Sequence, residues 1–265
     1  MASRKTWYLL VDRTPKDGSW NMAVDEFLFR EVKEAPLTFL RFYTWSRPTA
    51  SLGYYQKTER VVDLEVCRRQ GVDIVRRMTG GKLVLHHEEV TYTVASSEVD
   101  IFSTSLRESY RLVSEALILG LKRLGLEAHL AAKTPERYAR GDLPCFSFPA
   151  EDEIEIKGKK LIGSAQKRVG QRFLQHGSIP LRNNASLLQL ITPGTNNERL
   201  IRMISLEEAL GRVVEFDEVV AALISGFSEY FNAEIRPKVL TEKDREKIYH
   251  LEKEKYGNTE WIFQR

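Results

Sequence analysis

The sequence predicts a mixed α/β fold of the α+β kind, a mixed β-sheet flanked by helices, followed by a smaller helical segment at the C-terminus. Three observations carry this expectation. Residues 37–45 and 90–95 alternate at strand length and are rich in aromatic and β-branched side chains. Leu106, Tyr110, Val113, Leu117, Leu121 and Leu124 recur at helical spacing. Beyond Pro193-Gly194 the strand pattern gives way to helical, charge-rich stretches. A catalytic domain is therefore expected over residues 1–190 and a helical appendage over 191–265.

Residues 7–11 read as a first strand, and 12–19 as a polar loop with turn chemistry in Pro15, Asp17 and Gly18. A helix follows from Asn21, with Met22, Phe27, Leu28 and Val32 on its apolar face. Ser46-Arg47-Pro48 ends the strand over 37–45, and residues 50–55 resume extended structure around Gly53. Residues 64–70 form a short helix stopped by Gly71, and 73–77 a strand running into Gly80-Gly81. In the returning strand, Val90, Tyr92 and Val94 share one face and Thr91 and Thr93 the other. Gly125 stops the long helix, and residues 126–131 read as another strand. A loop follows over 133–148. Residues 153–162 alternate about Lys157-Gly158, as in a hairpin, and 172–181 supply a further strand. Ser205-Leu-Glu-Glu208 is a capping box with Gly211 as its stop, and residues 216–231 and 243–255 are helical.

At 265 residues the chain can bury a sizeable core without disulfides or metal. Its 42% hydrophobic and 29% charged residues are those of an ordinary globular protein. A net charge of +3 is too small to mark a nucleic-acid binder, though it allows a basic patch facing an acidic partner. Two cysteines are too few for a secreted disulfide scaffold. The N-terminus lacks a signal-peptide pattern, and no apolar run reaches the ~18 residues of a membrane span. The expected setting is cytoplasmic.

Chemistry is sought first at Arg76-Arg77-Met-Thr-Gly-Gly-Lys-Leu-Val-Leu-His86. Gly80 and Gly81 let the backbone turn and approach a ligand, and cations beside such a turn suit an anion. A turn on a solvated basic surface fits the same residues. Cys67, on its short helix, reads as a small buried hydrophobe. Cys145 lies in the loop before a cationic hairpin containing Lys157, Lys159 and Lys160, where a neighbouring ammonium would favour a nucleophilic thiolate. Lys160 leads into Leu161-Ile-Gly163-Ser164-Ala165, small residues that let a ligand come close to the strand. His86, His87 and His176 fall in site-like segments, but none has zinc-ligand spacing, so no metal is expected. No P-loop, dinucleotide fingerprint or serine elbow is present, and no cofactor is expected. Asp25-Glu26 reads as a ligand-orienting pair, a solvated helix face or a structural hydrogen-bonding point.

Taken in order, these segments resemble the lipoate–protein ligase and octanoyltransferase family. Asn21-Met-Ala-Val-Asp-Glu26 is similar to its first-helix motif, and Arg41-Phe-Tyr-Thr-Trp45 through Ser51-Leu-Gly-Tyr-Tyr-Gln56 to its aromatic strand pair. The stretch from Arg76 to His86 resembles its Arg-Arg-x-Thr/Ser-Gly-Gly-x-x-Val-x-His signature, continued by Tyr92, with Leu83 where the family often has a small residue. Lys160-Leu-Ile-Gly-Ser-Ala-Gln166 and Gln175-His-Gly-Ser-Ile179 resemble its remaining pocket motifs, and the likeness runs on to Glu260-Trp261. Pro144-Cys145-Phe146, then Pro149, looks most like the cysteine-dependent octanoyltransferases.

The resemblance implies a biotinyl/lipoyl protein ligase-like fold. It also implies transfer of octanoyl from octanoyl-acyl carrier protein to a lysine of a lipoyl-domain protein, such as glycine cleavage H protein, as the first step of lipoate assembly. Cys145 would form the acyl-enzyme, with Lys160 lowering its pKa. Arg77, Gly80, Gly81, His86, Gly163, Ser164, His176 and Gly177 would form the substrate pocket, and backbone N–H groups near Gly163 or Gly177 would meet the oxyanion. Basic residues around Arg76, Arg77 and Lys82 would steer acidic carriers. An amidotransferase between lipoyl-domain proteins and an ATP-dependent lipoate ligase are the competing readings.

Overall fold

The computed structural model describes residues 4–33, 35–103, 105–132, 144–147, 151–193 and 202–264. Of the loop expected over 133–148, residues 133–143 and 148 lie outside that set, as do Pro149 and Gly194. The first half contains β1 (Lys5–Lys16), α1 (Gly18–Glu31), β2 (Thr38–Trp45), β3 (Thr49–Leu52), α2 (Thr58–Val61), α3 (Leu64–Gln70), β4 (Asp73–Arg76), β5 (Val84–His86) and β6 (Glu89–Ser96). Next come α4 (Leu106–Arg123), β7 (His129–Leu130), a 3-10 turn (Cys145–Ser147), β8 (Ile154–Ile156), β9 (Lys159–Val169) and β10 (Arg172–Pro180). The remainder is α5 (Ala185–Ile191), α6 (Leu206–Leu210), α7 (Phe216–Tyr230), β11 (Ala233–Pro237), α8 (Glu242–Leu251), which continues into a π turn (Glu252–Tyr256), and α9 (Thr259–Ile262).

Eight strands form one mixed sheet in the order β11-β1-β2-β6-β10-β9-β8-β7, and β4-β3-β5 form a smaller one. β1 runs parallel to β2, because α1 carries the chain back between them, and on its other edge it pairs in parallel with β11. From β2 through β6, β10, β9 and β8 to β7 every pairing is antiparallel. The hairpin read at Lys157-Gly158 joins β8 to β9, with both residues at positive φ.

Period-two alternation sorts the side chains of this sheet onto two faces. Leu40 and Phe42 of β2 join Val90, Tyr92 and Val94 of β6 in a core covered by α4 and α7. Phe39 and Tyr43 face the other way, into a core with Met22, Phe27 and Leu28 of α1 and Ile248 and Leu251 of α8. A third core lies under the small sheet, where Leu52, Leu83 and Leu85 meet Cys67, Cys145, Phe146 and Met203.

The C-terminal segment is helical for most of its length, as expected, and also supplies β11 at the edge of the large sheet. Its helices enter the same cores: Val219, Val220, Leu223 and Phe227 pack with Trp7 and Phe42. The Ser205/Glu208 capping box is present, and Gly211 ends that helix at a φ of 68°.

Asp25 and Glu26 are both buried, so the solvated-face reading of this pair is corrected. Asp25 accepts hydrogen bonds from Arg41 Nη1 (2.8 Å), Thr93 Oγ1 (2.9 Å) and Tyr43 Oη (3.1 Å), and pairs with His176 Nδ1 at 2.8 Å. Glu26 pairs with Lys255 at 2.6 Å and bonds Tyr256, which ties α1 to the C-terminal turn. Arg41 is fully buried and reaches Asp12 as well, at 2.8 Å. Removing one partner of a buried charge pair costs roughly 3–5 kcal/mol because the other is left uncompensated. Urea unfolding of Asp25→Ala should show a loss of about that size. Asp12→Ala, at the more exposed carboxylate, should cost clearly less; equal losses would show that Asp25 is no special anchor.

Candidate active site

The Arg76–His86 stretch turns between β4 and β5 and forms one wall of the site. Gly81 takes a φ of 88°, a conformation that side chains disfavour. Both arginines are buried, and their donors go to the chain itself. Arg76 bonds the carbonyls of Gly53 (2.9 Å), Gln56 (2.8 Å) and Ile262 (2.9 Å), and Trp261 Nε1 returns a bond to the Arg76 carbonyl at 2.8 Å. Arg77 bonds the carbonyls of Ser51 (2.7 Å), Gly80 (2.8 Å) and Lys82 (2.8 Å). The expectation that they present positive charge to an anion or an acidic carrier is therefore corrected: they brace the turn from inside. Thr79, at the head of the turn, meets His176 Nε2 at 2.8 Å, which links the turn to Asp25.

Cys145 and Lys160 come together across the third core. The 3-10 turn holds Cys145 through its N–H, which bonds the Leu83 carbonyl at 2.8 Å. Lys160 is the second residue of β9, and its backbone is fixed by residues 202–204 along one edge, with N–H to the Arg202 carbonyl (2.8 Å) and C=O to the Ile204 N–H (3.0 Å). Its ammonium lies 3.1 Å from Cys145 Sγ, 2.8 Å from the Cys145 carbonyl and 2.6 Å from Glu153 Oε2. Burial pulls the Lys160 pKa down, but the charges of Cys145 and Glu153 outweigh it and leave the amine above its ordinary value. Gly163 makes the approach possible, since a Cβ there would sit 3.1 Å from the sulfur and 3.1 Å from Lys160 Cε. Burial pushes the Cys67 thiol up to about 11, in keeping with an inert packed cysteine.

A cavity of about 240 Å³ opens between the sheet and the turn. Of the expected pocket residues, Arg77, Gly81, His86 and Cys145 line it from the turn side. Gly163, Ser164, His176 and Gly177 line it from the sheet. Gly80 and Lys160 are not among the lining residues, and Lys160 is fully buried. His86 is held by Glu89 at 2.7 Å and stacks on Trp45 with ring centroids 4.0 Å apart. Ser164 commits its hydroxyl to Tyr92 Oη at 2.7 Å.

Among the lining positions that the expected site did not include are Tyr43, Thr91, Ser178 and Glu153. The first three form a row with Gly163, which pairs with Ser178, Ser178 with Thr91, and Thr91 with Tyr43. At ~4.8 Å per strand the row spans about 14 Å away from the thiol. Its signal was the strand alternation, which put Thr91 opposite Tyr92. Among the described residues no group of three or more His, Cys, Asp or Glu could hold a metal ion.

A buried thiol thus lines a small cavity on a mixed sheet with a buried ammonium beside it, the arrangement of a nucleophile and its counter-charge. The chain belongs to the family of the lipoyl protein ligase A/B catalytic domain, whose profile matches residues 17–228. It is 38% identical to the octanoyltransferase LipM of Carboxydothermus hydrogenoformans, over 98% of this chain and 99% of that one. The octanoyltransferase LipM of Kyrpidia tusciae is 39% identical, with 98% and 100% covered. Among solved structures, lipoate-protein ligase A bound with ATP superposes with a TM-score of 0.83 at 26% identity, covering 98% of each chain. A bi-partite lipoate protein ligase from Thermoplasma acidophilum, studied with its E2 lipoyl domain, gives 0.80 at 26% identity, with 98% and 97% covered.

The His176–Asp25 pair should make the stability of the fold sensitive to acid. Burial holds the His176 pKa below its ordinary value despite the opposing Asp25 charge. Asp25 is also lowered: burial would raise it, but the hydrogen bond from His176 and the Arg41 charge outweigh that effect. A depressed folded pKa means that the unfolded chain binds protons first, so stability is complete above the unfolded value and falls with pH below it. Unfolding free energy should therefore decline from about pH 6.5 downward, through His176 first and Asp25 below about pH 4. In His176→Gln the decline between about pH 6.5 and 5 should be shallower; an unchanged slope would exclude His176 as its source.

Proposed function

We propose that this chain is an octanoyltransferase of lipoate assembly that carries the octanoyl group as a thioester on Cys145. The observation that carries the reading is the Lys160 ammonium 3.1 Å from the Cys145 sulfur at one end of the cavity. The LipM relatives, matched along nearly their whole length, support it. The donor is octanoyl-acyl carrier protein. The acceptor is a lysine of a lipoyl-domain protein, of which glycine cleavage H protein is one. The cytoplasm is the compartment in this reading, and among the described residues no helix is long and apolar enough to cross a membrane. Residues 1–190 supply the reacting groups, and 191–265 hold them in place.

In the first step the Cys145 thiolate attacks the carrier thioester carbonyl. A new C–S bond forms, the bond to the carrier sulfur breaks, and that sulfur leaves with the electron pair and takes a proton from solvent. In the second step the neutral acceptor amine attacks the acyl-enzyme. The C–N bond forms, Cys145 leaves as thiolate, and the amine releases a proton to solvent. Lys160 faces negative charge on sulfur at the start and end of the cycle, and backbone N–H groups near Gly163 or Gly177 meet the oxyanion. The acyl tail lies along the row through Ser178 and Thr91 toward Tyr43, where each buried methylene contributes ~0.8 kcal/mol.

Incubation with octanoyl-acyl carrier protein in the absence of ATP should add one octanoyl group, seen by intact mass, labile to hydroxylamine and lost in Cys145→Ser. Lys160→Met should slow its formation by about 10²-fold or more, a typical contribution of a positioned catalytic group. ATP-dependent modification of a lipoyl domain from free acid, with no adduct, would establish the ligase reading. Loading only from octanoylated lipoyl-domain protein would establish the amidotransferase.

A further inference from the structure

Glu153 is a buried carboxylate with no part in the steps above. It stands just before β8 and is only 7% exposed. Its carbonyl accepts the Ala131 N–H at 2.8 Å, and its Oε2 lies 2.6 Å from Lys160 Nζ. Lys160 is completely buried, so it depends on protein groups for its charge. Three acceptors surround its nitrogen: Cys145 Sγ, the Cys145 carbonyl and the Glu153 carboxylate. An ammonium has three N–H donors and meets all of them. A neutral amine has two donors and a lone pair, which would have to face one of the three. Tyr92 and Tyr110 are pushed up, the former to about 12, by burial first and by the Glu153 charge in part, so their hydroxyls stay neutral.

The catalytic cycle puts this arrangement under stress. In the free enzyme Lys160 faces a thiolate and a carboxylate. Once Cys145 is acylated its sulfur is a neutral thioester and one counter-charge is gone. A lone buried ammonium would then shed its proton, and the second step needs that charge again when sulfur leaves as thiolate. We propose that Glu153 is a positioning residue that keeps Lys160 an ammonium while Cys145 carries the acyl group. The inference rests on the thioester reading above and adds that loading and unloading depend on Glu153 to different degrees.

The test uses the full chain loaded from octanoyl-acyl carrier protein, with loss of the adduct followed by rapid quench and intact mass. Glu153→Gln should slow unloading onto lipoyl-domain protein at least tenfold more than it slows loading, and Glu153→Asp should recover part of the loss. With hydroxylamine as a nucleophile already neutral at pH 7, unloading of the parent should stay level between about pH 7 and 9, below the ordinary lysine pKa of about 10.4. In Glu153→Gln it should fall as pH rises. A variant that unloads at the parent's rate with the parent's profile overturns the inference alone. The parent's own profile serves if the variant fails to fold: a decline across that range overturns the inference too. Absence of any adduct on the parent overturns the thioester reading and this inference with it.

Discussion

The buried carboxylate of Asp25 is the interaction on which fold and site jointly depend. It sits on α1 and gathers donors from three adjacent strands, Arg41 and Tyr43 of β2, Thr93 of β6 and His176 of β10. A one-residue slip of any of these strands would send its donor to the opposite face, so the carboxylate and the hydrophobic pattern specify the same register. His176 then passes the constraint to Thr79 and the glycine turn. One charge in the core thereby sets the distance between the sheet and the facing wall of the cavity.

That wall is braced by charge without presenting much of it. Arg76 and Arg77 direct their guanidinium groups at backbone carbonyls of β3, the turn and the C-terminal α9. An anion bound at the turn would have to compete with these buried carbonyls for donors, each of which costs free energy if left unpaired. The turn is better suited to hold its own shape against an uncharged tail. The C-terminus takes part in this, since Trp261 and Ile262 both bond Arg76, some 185 residues away in sequence.

Where pattern and burial coincide, the fold was legible in the sequence. Val90, Tyr92 and Val94 do share a face, the Leu106–Leu124 repeat is α4, and the Lys157-Gly158 hairpin and the Ser205 capping box are where the local chemistry puts them. β11 was not legible, because Ala-Glu-Ile-Arg-Pro is short and polar and becomes a strand only by pairing with β1. The expected strand over 126–131 shrinks to His129–Leu130, since β8 offers it a partner over two residues only. The placement of Cys145 near Lys160 came from family resemblance, for nothing in the spacing requires it. Glu153 was invisible because a glutamate beside a charged hairpin reads as solvated, whereas the fold buries it against the Lys160 ammonium. Arginines in the interior are hidden for the same reason: sequence shows their charge but not the carbonyls that satisfy it.

The position of the thiol follows from side chains that are absent. Gly163 and Ser178 are paired, as are Ser164 and Gly177, so the two glycines present opposite faces of the β9–β10 ladder. On the cavity side Gly163 leaves room for the sulfur, Lys160 and Phe146, each within 3.3 Å of where a Cβ would lie. On the other side Gly177 admits the Tyr92 ring, 2.5 Å from its own missing Cβ. Tyr92 in turn bonds Ser164 and Gln175, which closes a polar layer beneath the strands at the point where the sulfur presses from above. Reactive corner and supporting layer thus meet through a backbone only one strand thick. Filling either glycine position would move the thiol relative to Lys160 without altering a reacting group.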